Sequence, residues 1–163
     1  KGKTTAAMGL ALRAAGYGKH VLVIQFVKTW FTGEKGGFEH VPNVEFIQAG
    51  KGFYKILGDQ LPEQEHVEAA KEAFELAQAK ISSGEYDVVV LDEIIGSITG
   101  GLLPLAPVLE LIDAKPPQLD LVLTGHHAQE LAPIVERADL MTEMVKVKHP
   151  YDSGILARKS IDY

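Results

Sequence analysis

Cysteine is absent from the 163 residues of the sequence. Disulfide bonds and zinc sites built on thiolates are therefore excluded, and the cytoplasm, a reducing compartment, is the expected location. Long apolar runs are also lacking, since none approaches the roughly 18 residues of a membrane-spanning helix. No signal-peptide pattern is visible either, and we expect no membrane partner.

An excess of positive charge is lacking as well. The chain has 16 lysines and arginines against 22 aspartates and glutamates, a net charge of −6, and aromatic residues make up only 7%. Nucleic-acid binding generally needs a basic surface with interleaved aromatic side chains, and no such stripe is present. We therefore expect no nucleic-acid partner, unless a local basic groove forms.

The composition that is present is that of a globular protein, with 46% hydrophobic and 23% charged residues. This length fits one domain with a continuous core, which we place over residues 1–163.

The first motif is the stretch Lys1-Gly2-Lys3-Thr4-Thr5, which runs into the strong helix formers of residues 4–15. Gly-Lys-Thr at the start of a helix is the second half of a phosphate-binding loop: backbone N–H groups receive phosphate oxygens, the lysine adds charge and the threonine hydroxyl completes a Mg²⁺ shell. The motif predicts a nucleoside triphosphate site. The full loop needs another glycine and a buried strand before it, so we expect the first strand and the first half of the loop to lie upstream of Lys1.

The second motif is the run Asp87-Val-Val-Val-Leu-Asp92-Glu93. Four apolar residues followed by two acidic ones predict a buried parallel strand that delivers both carboxylates to the ligand-binding edge, where they hold Mg²⁺ directly or through water. The alternative is an ordinary strand followed by helix-capping acidic residues.

Further apolar runs predict the remaining elements. Strands are expected at 20–27, 44–47, 120–124 and 138–148, helices at 4–15, 62–83, 104–114 and 128–137, and a loop at 29–37. The buried stripe of the first helix is expected to include Leu10. The alternation predicts a three-layer α/β fold of the P-loop NTPase-like (RecA-like) type, with a mostly parallel sheet and helices on both faces.

Other side chains are candidates for ligand contacts. Arg13 either reaches a ribose or base, or is an exposed helical arginine; Lys28 follows a strand and is either a second phosphate-binding charge or a solvated lysine. Phe53 and Tyr54 form either a wall for a flat ligand or the packing of their own loop. His126 and His127 are not expected to bind a metal, because adjacent side chains diverge, and one of the two is expected to donate a hydrogen bond to phosphate.

Several stretches together resemble the P-loop ATP:corrinoid (cob(I)alamin) adenosyltransferase family. They are Lys-Gly-Lys-Thr-Thr-Ala-Ala, Val-Leu-Val-Ile-Gln-Phe-Val-Lys, Asp-Val-Val-Val-Leu-Asp-Glu-Ile, Leu-Thr-Gly and the closing Lys-His-Pro-Tyr-Asp-Ser-Gly-Ile. The resemblance implies transfer of the 5′-deoxyadenosyl group from ATP to the cobalt of a Co(I) corrinoid, with release of triphosphate. It also implies a homodimer and a flavoprotein as the source of electrons.

The resemblance assigns roles to residues of this sequence. It implies that Lys3, Thr4 and Glu93 are catalytic and that Mg²⁺ is held by Thr4, Asp92 and Glu93. The implied ATP-binding residues are Lys1, Gly2, Lys3, Thr4, Thr5, Arg13 and His126, and the implied corrinoid-binding residues are Phe53 and Tyr54.

The sequence departs from the family pattern at three sites. Lys55 stands where a second large aromatic residue is usual, Ile95-Gly96 replaces a polar residue followed by an aromatic one, and His126 replaces an arginine. Two alternatives therefore stay open: a P-loop ATPase or kinase of related fold, and a regulatory protein that binds ATP or corrinoid without turnover.

Overall fold

The sheet is four-stranded and entirely parallel. The structure is a computed structural model that describes residues 1–52, 54 and 59–161. Its strands are β1 (Val21–Gln25), β2 (Val44–Gln48), β3 (Val88–Asp92) and β4 (Asp120–Leu123), in the spatial order β2-β1-β3-β4. The predicted class, an α/β fold with a parallel sheet, is confirmed.

Six helices and two short 3₁₀ helices accompany the described sheet. The helices are α1 (Lys3–Gly16), α2 (Gly33–Phe38), α3 (Glu63–Ser83), α4 (Ile94–Thr99), α5 (Leu105–Ala114) and α6 (Ala132–Val135), and the 3₁₀ segments are Ala128–Glu130 and Pro150–Ser153. No helix in this part of the chain is both long and apolar enough to cross a membrane.

The two central strands are buried on both faces, as a nearly continuous apolar run predicts. Successive side chains alternate between the faces. Val21 and Val23 pack with Ala11 of α1, whereas Leu22 and Ile24 belong to the larger cluster on the other face, which includes residues of α3, α4 and α5. Helices thus cover both faces of the sheet, with α1 and α2 on one side.

The boundaries of several predicted elements are corrected by the structure. The predicted loop 29–37 contains α2, and the predicted helix 128–137 is divided into a 3₁₀ turn and α6, because Pro133 lies in the first turn of α6 and proline is tolerated at a helix start rather than in its interior. Leu10 is 37% exposed, since the buried side of α1 is formed by Ala7, Met8, Ala11 and Ala15.

The predicted last strand is wrong. Residues 138–148, all of which the structure describes, form no strand and are exposed. A strand requires the backbone of a neighbouring strand, and within the described sheet β4 pairs with β3 alone. Alternating apolar residues without such a neighbour do not make a strand.

Candidate active site

Polar side chains end all four strands at the same edge of the sheet. Gln25 is in register with both Gln48 of β2 and Asp92 of β3, and Thr124 follows β4 at the level of Asp92. We call these four residues the polar row. The carboxyl ends of parallel strands are where ligands bind in open α/β sheets, so the polar row marks the candidate site.

Asp92 lies at the centre of the polar row and is only 1% exposed. Its carboxylate accepts hydrogen bonds from Thr4 Oγ1 at 3.0 and 3.2 Å, from Gln25 Nε2 at 3.0 Å and from Thr124 Oγ1 at 2.7 Å. A buried carboxylate is tolerated when donors surround it in this way. Because Thr4 belongs to the first turn of α1, these bonds also fix the start of that helix against β3.

The start of α1 faces the same edge. Gly2 precedes the helix with φ of 99°, a left-handed conformation that favours glycine, and the Ala6 N–H donates to its carbonyl at 2.8 Å. The first N–H groups of a helix have no partner within the helix and carry partial positive charge, which suits phosphate oxygens. Thr4 donates its hydroxyl proton to Asp92, which leaves its oxygen lone pairs available to a cation.

Lys3, which precedes Thr4 in the chain, lies beside His126. Lys3 Nζ is 3.4 Å from His126 Nε2, and because an ammonium group can only donate, the imidazole nitrogen is the acceptor. Burial, and then the charge of Lys3, lower the pKa of His126. Both effects favour the neutral form of His126, the form that accepts a hydrogen bond from Lys3.

Glu93 follows Asp92 directly and adopts a left-handed conformation with φ of 66°. Its N–H donates to Thr124 Oγ1 at 3.0 Å. Burial, and then the charge of Asp92, raise the pKa of its carboxyl group, although the charges of Lys3 and Lys28 act in the opposite direction. A Cβ atom at position 96 would lie 3.1 Å from Glu93 Oε2. Gly96 therefore leaves room for the Glu93 side chain in the conformation that it adopts here.

Gly125 holds the turn after β4 against α4. Its φ is 150°, and a Cβ atom there would lie 2.6 Å from Ile95 Cβ and 2.7 Å from the Gly96 nitrogen. Only glycine allows this approach. The turn consequently brings His126 close to Lys3.

Of the other predicted site residues, Arg13 lies far from this cluster, whereas the charges of Lys28 and of the Lys1 amino group act on Glu93. Arg13 is exposed near the far end of α1, about 15 Å along the helix axis from Lys3 at 1.5 Å per residue. Lys28, whose side chain is 15% exposed, pairs with Glu34 at 3.4 Å and is not a solvated lysine. Lys1 Nζ donates to the Ile161 carbonyl at 3.2 Å, and Thr5 is exposed in the first turn of α1.

The two predicted corrinoid-binding residues differ in what is known of them. The ring of Tyr54 lies 5.3 Å from the ring of His66 at the start of α3. Phe53, like Lys55, lies outside the described residues. Contact of Phe53 and Tyr54 with a corrinoid stays a prediction.

Gln48 and Thr124 were not identified from the sequence as site residues. The signal for both was present: each is a polar residue at the end of an apolar strand, as Gln25 and Asp92 are. Within the described part of the chain, no three or more histidine, aspartate or glutamate side chains are grouped so that they could hold a metal ion. A cation at this edge would need oxygens from a bound nucleotide, which is how Mg²⁺ is commonly held.

Comparison with known proteins gives one consistent picture. Residues 1–163 match the family described as ATP:corrinoid adenosyltransferase BtuR/CobO/CobP. The chain is 37% identical over its whole length to a corrinoid adenosyltransferase of Escherichia coli, covering 81% of that protein. It is 35% identical to corrinoid adenosyltransferase CobA of Salmonella typhimurium and 36% identical to a corrinoid adenosyltransferase of Pseudomonas aeruginosa, covering 81% and 79% of those proteins.

Proposed function

The chain belongs to the BtuR/CobO/CobP family of ATP:corrinoid adenosyltransferases, and from this premise we propose that it transfers the 5′-deoxyadenosyl group of ATP to the cobalt of a reduced corrinoid. The observation that carries the proposal for these residues is the grouping of Lys3, Thr4 and Asp92 at the carboxyl edge of a parallel sheet. A triphosphate and an associated cation suit this arrangement.

The proposed reaction needs positioning more than proton transfer. The electron pair of Co(I) forms the bond to C5′ of ATP, and the C5′–O bond breaks with its electrons going to triphosphate. Because Co(I) is a strong nucleophile, the protein's tasks are to hold C5′ near the cobalt and to stabilise the charge of the leaving triphosphate. Lys3 and the first N–H groups of α1 would serve the second task.

Mg²⁺ is part of the proposal, and the oxygen donors at the site fit it. Thr4 and Glu93 would hold the cation, while Asp92, whose oxygens already accept bonds from Thr4, Gln25 and Thr124, would orient the Thr4 hydroxyl. When bound, Mg²⁺ neutralises charge on the triphosphate.

Other parts of the proposal are expectations drawn from the sequence or from the family resemblance. They comprise a single domain over residues 1–163, a homodimer, a cytoplasmic location, a flavoprotein reductant, a nucleoside contact by Arg13, and triphosphate contacts by Lys1, Gly2, Thr5 and His126. Phe53 and Tyr54 would face the corrinoid.

The decisive assay is anaerobic incubation with Mg²⁺-ATP and chemically reduced cob(I)alamin. We expect a light-sensitive alkyl-cobalt spectrum together with stoichiometric triphosphate. ADP and phosphate with an unchanged corrin spectrum would favour the ATPase alternative, and nucleotide binding without product would favour a regulatory protein.

Replacing Lys3 with alanine tests the site itself. Loss of the charge that stabilises the leaving triphosphate should lower the rate of product formation at least about 100-fold. Lys71→Ala is the matched control, because Lys71 is 70% exposed on α3 and pairs with Glu75. Near-normal activity of the Lys3→Ala variant would contradict the assignment.

A further inference from the structure

We propose that Gln25 and Gln48 form a hydrogen-bonded relay that positions Asp92 and connects it to the loop containing Trp30. The inference rests on the proposed function, in which Asp92 orients Thr4 toward a cation and triphosphate. It adds two positioning residues that touch neither substrate directly.

The relay is continuous from the loop to the carboxylate. Gln48 Nε2 lies 2.9 Å from the Trp30 carbonyl oxygen and 3.1 Å from Gln25 Oε1, and Gln25 Nε2 lies 3.0 Å from Asp92 Oδ2. The distances are those of ordinary hydrogen bonds.

Both amide orientations are fixed from the ends of the relay. A carboxylate accepts only, so the Gln25 atom facing Asp92 must be the nitrogen, and its carbonyl oxygen must then face Gln48. A backbone carbonyl also accepts only, so the Gln48 atom facing Trp30 must be the nitrogen too. Flipping either amide would place acceptor against acceptor, and the relay therefore has one low-energy arrangement.

Burial indicates that Gln25 is there for a reason other than packing. Its side chain is 0% exposed in a strand whose other residues are valine, leucine and isoleucine. Burying an amide is unfavourable unless it is fully hydrogen-bonded, and a leucine of similar volume would need no partners. Within the described residues, the hydrogen bonds to Asp92 and Gln48 are the ones that offset the burial of this amide.

The far end of the relay lies among the loops that follow β1 and β2. Ala49 N–H donates to the Gln25 carbonyl at 3.0 Å, and Gly52 N–H donates to the Val27 carbonyl at 2.8 Å. A Cβ atom at Gly50 would lie 2.4 Å from the Val27 carbonyl carbon, so the two loops are in close contact. The second loop continues in sequence into Phe53 and Tyr54, the residues proposed to face the corrinoid.

The relay thus links the proposed nucleotide side of the site to the loops on its proposed corrinoid side. When Mg²⁺-ATP binds near Thr4 and Asp92, a shift of Asp92 should move Gln25 and Gln48 and, through them, the backbone at Trp30. Reactions between two bound partners depend strongly on their relative position, so loss of the relay should lower the transfer rate more than it weakens ATP binding.

Tryptophan fluorescence tests this link directly, because Trp30 is the only tryptophan in the chain. In the unmodified protein, titration with Mg²⁺-ATP should change the emission. In the Gln48→Leu variant that change should be largely lost, because the hydrogen bond to the Trp30 carbonyl is removed, while the apparent Kd should stay within about threefold, the effect of one hydrogen bond. Gln64→Leu is the matched control, since Gln64 is exposed on α3 and bonds Glu68.

A second variant tests the other half of the relay. Gln25→Leu removes a donor from Asp92, so the apparent Kd for Mg²⁺-ATP should rise about tenfold in addition to the loss of the fluorescence change. Because Gln25 is fully buried, this variant is checked for folding by circular dichroism. Gln48 is only half-buried, so its variant decides the question even if Gln25→Leu fails to fold.

The outcomes separate the relay from the proposed function. If the unmodified protein forms the alkyl-cobalt product and Gln48→Leu behaves like Gln64→Leu in fluorescence and rate, the relay is wrong and the proposed function stands. If the unmodified protein shows no emission change with Mg²⁺-ATP, the relay is likewise overturned. A protein that neither binds Mg²⁺-ATP nor forms product overturns both.

Discussion

The polar row and the C-terminal segment, residues 138–161, bury opposite kinds of side chain. In the polar row, the Asp92 carboxylate and the Gln25 amide are buried: Asp92 is 1% exposed and accepts bonds from three side chains. In the C-terminal segment, apolar groups are exposed, and Val147 is 94% exposed. The comparison teaches that neighbouring strands, rather than residue type alone, decide which side chains are buried in this protein.

The largest expected effect comes from breaking the polar row at its centre. Asp92→Asn keeps the shape but places an NH₂ group where an oxygen accepts, so at least one of the three donors meets another donor. We expect the free energy of unfolding to fall by about 2–4 kcal/mol and Mg²⁺-ATP binding to be lost. Urea denaturation and nucleotide titration measure the two effects.

Asp113→Asn is the control for this change, because Asp113 is an exposed aspartate paired with Arg137. It should leave both properties unchanged. Equal stability of the two variants would contradict the inference that the hydrogen bonds of Asp92 stabilise the fold.

The next effect separates function from stability at Glu93. Because burial raises the pKa of this carboxyl group, its ionised form is destabilising, and Glu93→Gln should raise the melting temperature at neutral pH while lowering the transfer rate. The folded-state pKa is above the unfolded one, so the stability difference is full above the folded pKa and disappears below the unfolded value of about 4.3. Thermal unfolding from pH 4 to pH 8 tests this, and a Glu93→Gln variant less stable at pH 8 would contradict it.

A smaller effect is expected at the rim of the row. His126→Arg introduces a permanent charge next to Lys3, where burial and the charge of Lys3 lower the pKa of the present imidazole. The variant should be slightly less stable without ligand, by no more than about 1 kcal/mol, and should show a larger rise in melting temperature when Mg²⁺-ATP is added. An unchanged nucleotide-induced shift would place His126 away from the triphosphate.

The smallest effect should come from the C-terminal segment. Val147→Ser should change the free energy of unfolding by less than about 0.5 kcal/mol, as for an exposed position. The same substitution at Val90, which is 0% exposed, should cost about 2–4 kcal/mol because it opens space and buries a hydroxyl group. If the two variants are equally destabilised, the C-terminal segment is packed in solution and the contrast between the regions fails.

Local sequence patterns predicted the parts of this protein that depend on local physics. The apolar runs around Val23 and Val90 identified the two central strands, and the helix formers after Lys3 identified α1. The rule that parallel strands end at one edge brought Thr4 and Asp92 to the same place. The roles of these residues in binding stay predictions.

Other features depend on contacts between distant segments and were beyond sequence reasoning. The bond between Gln48 and Gln25 requires the register of β1 and β2, and the room that Gly96 gives Glu93 requires the backbone turn after β3. The predicted strand 138–148 failed for the same reason, because strand formation depends on a neighbour that the pattern does not reveal.

The register of the polar row has a consequence for folding fidelity. Side chains alternate along a strand, so sliding β1 by one residue would turn Gln25 to the opposite face and put Ile24 or Phe26 against Asp92. The carboxylate would then lose a donor, and the apolar faces would be inverted at the same time. The buried residues of the polar row thereby also penalise misaligned sheets, so a chain that folds into the wrong register should lose both stability and the arrangement of the proposed site.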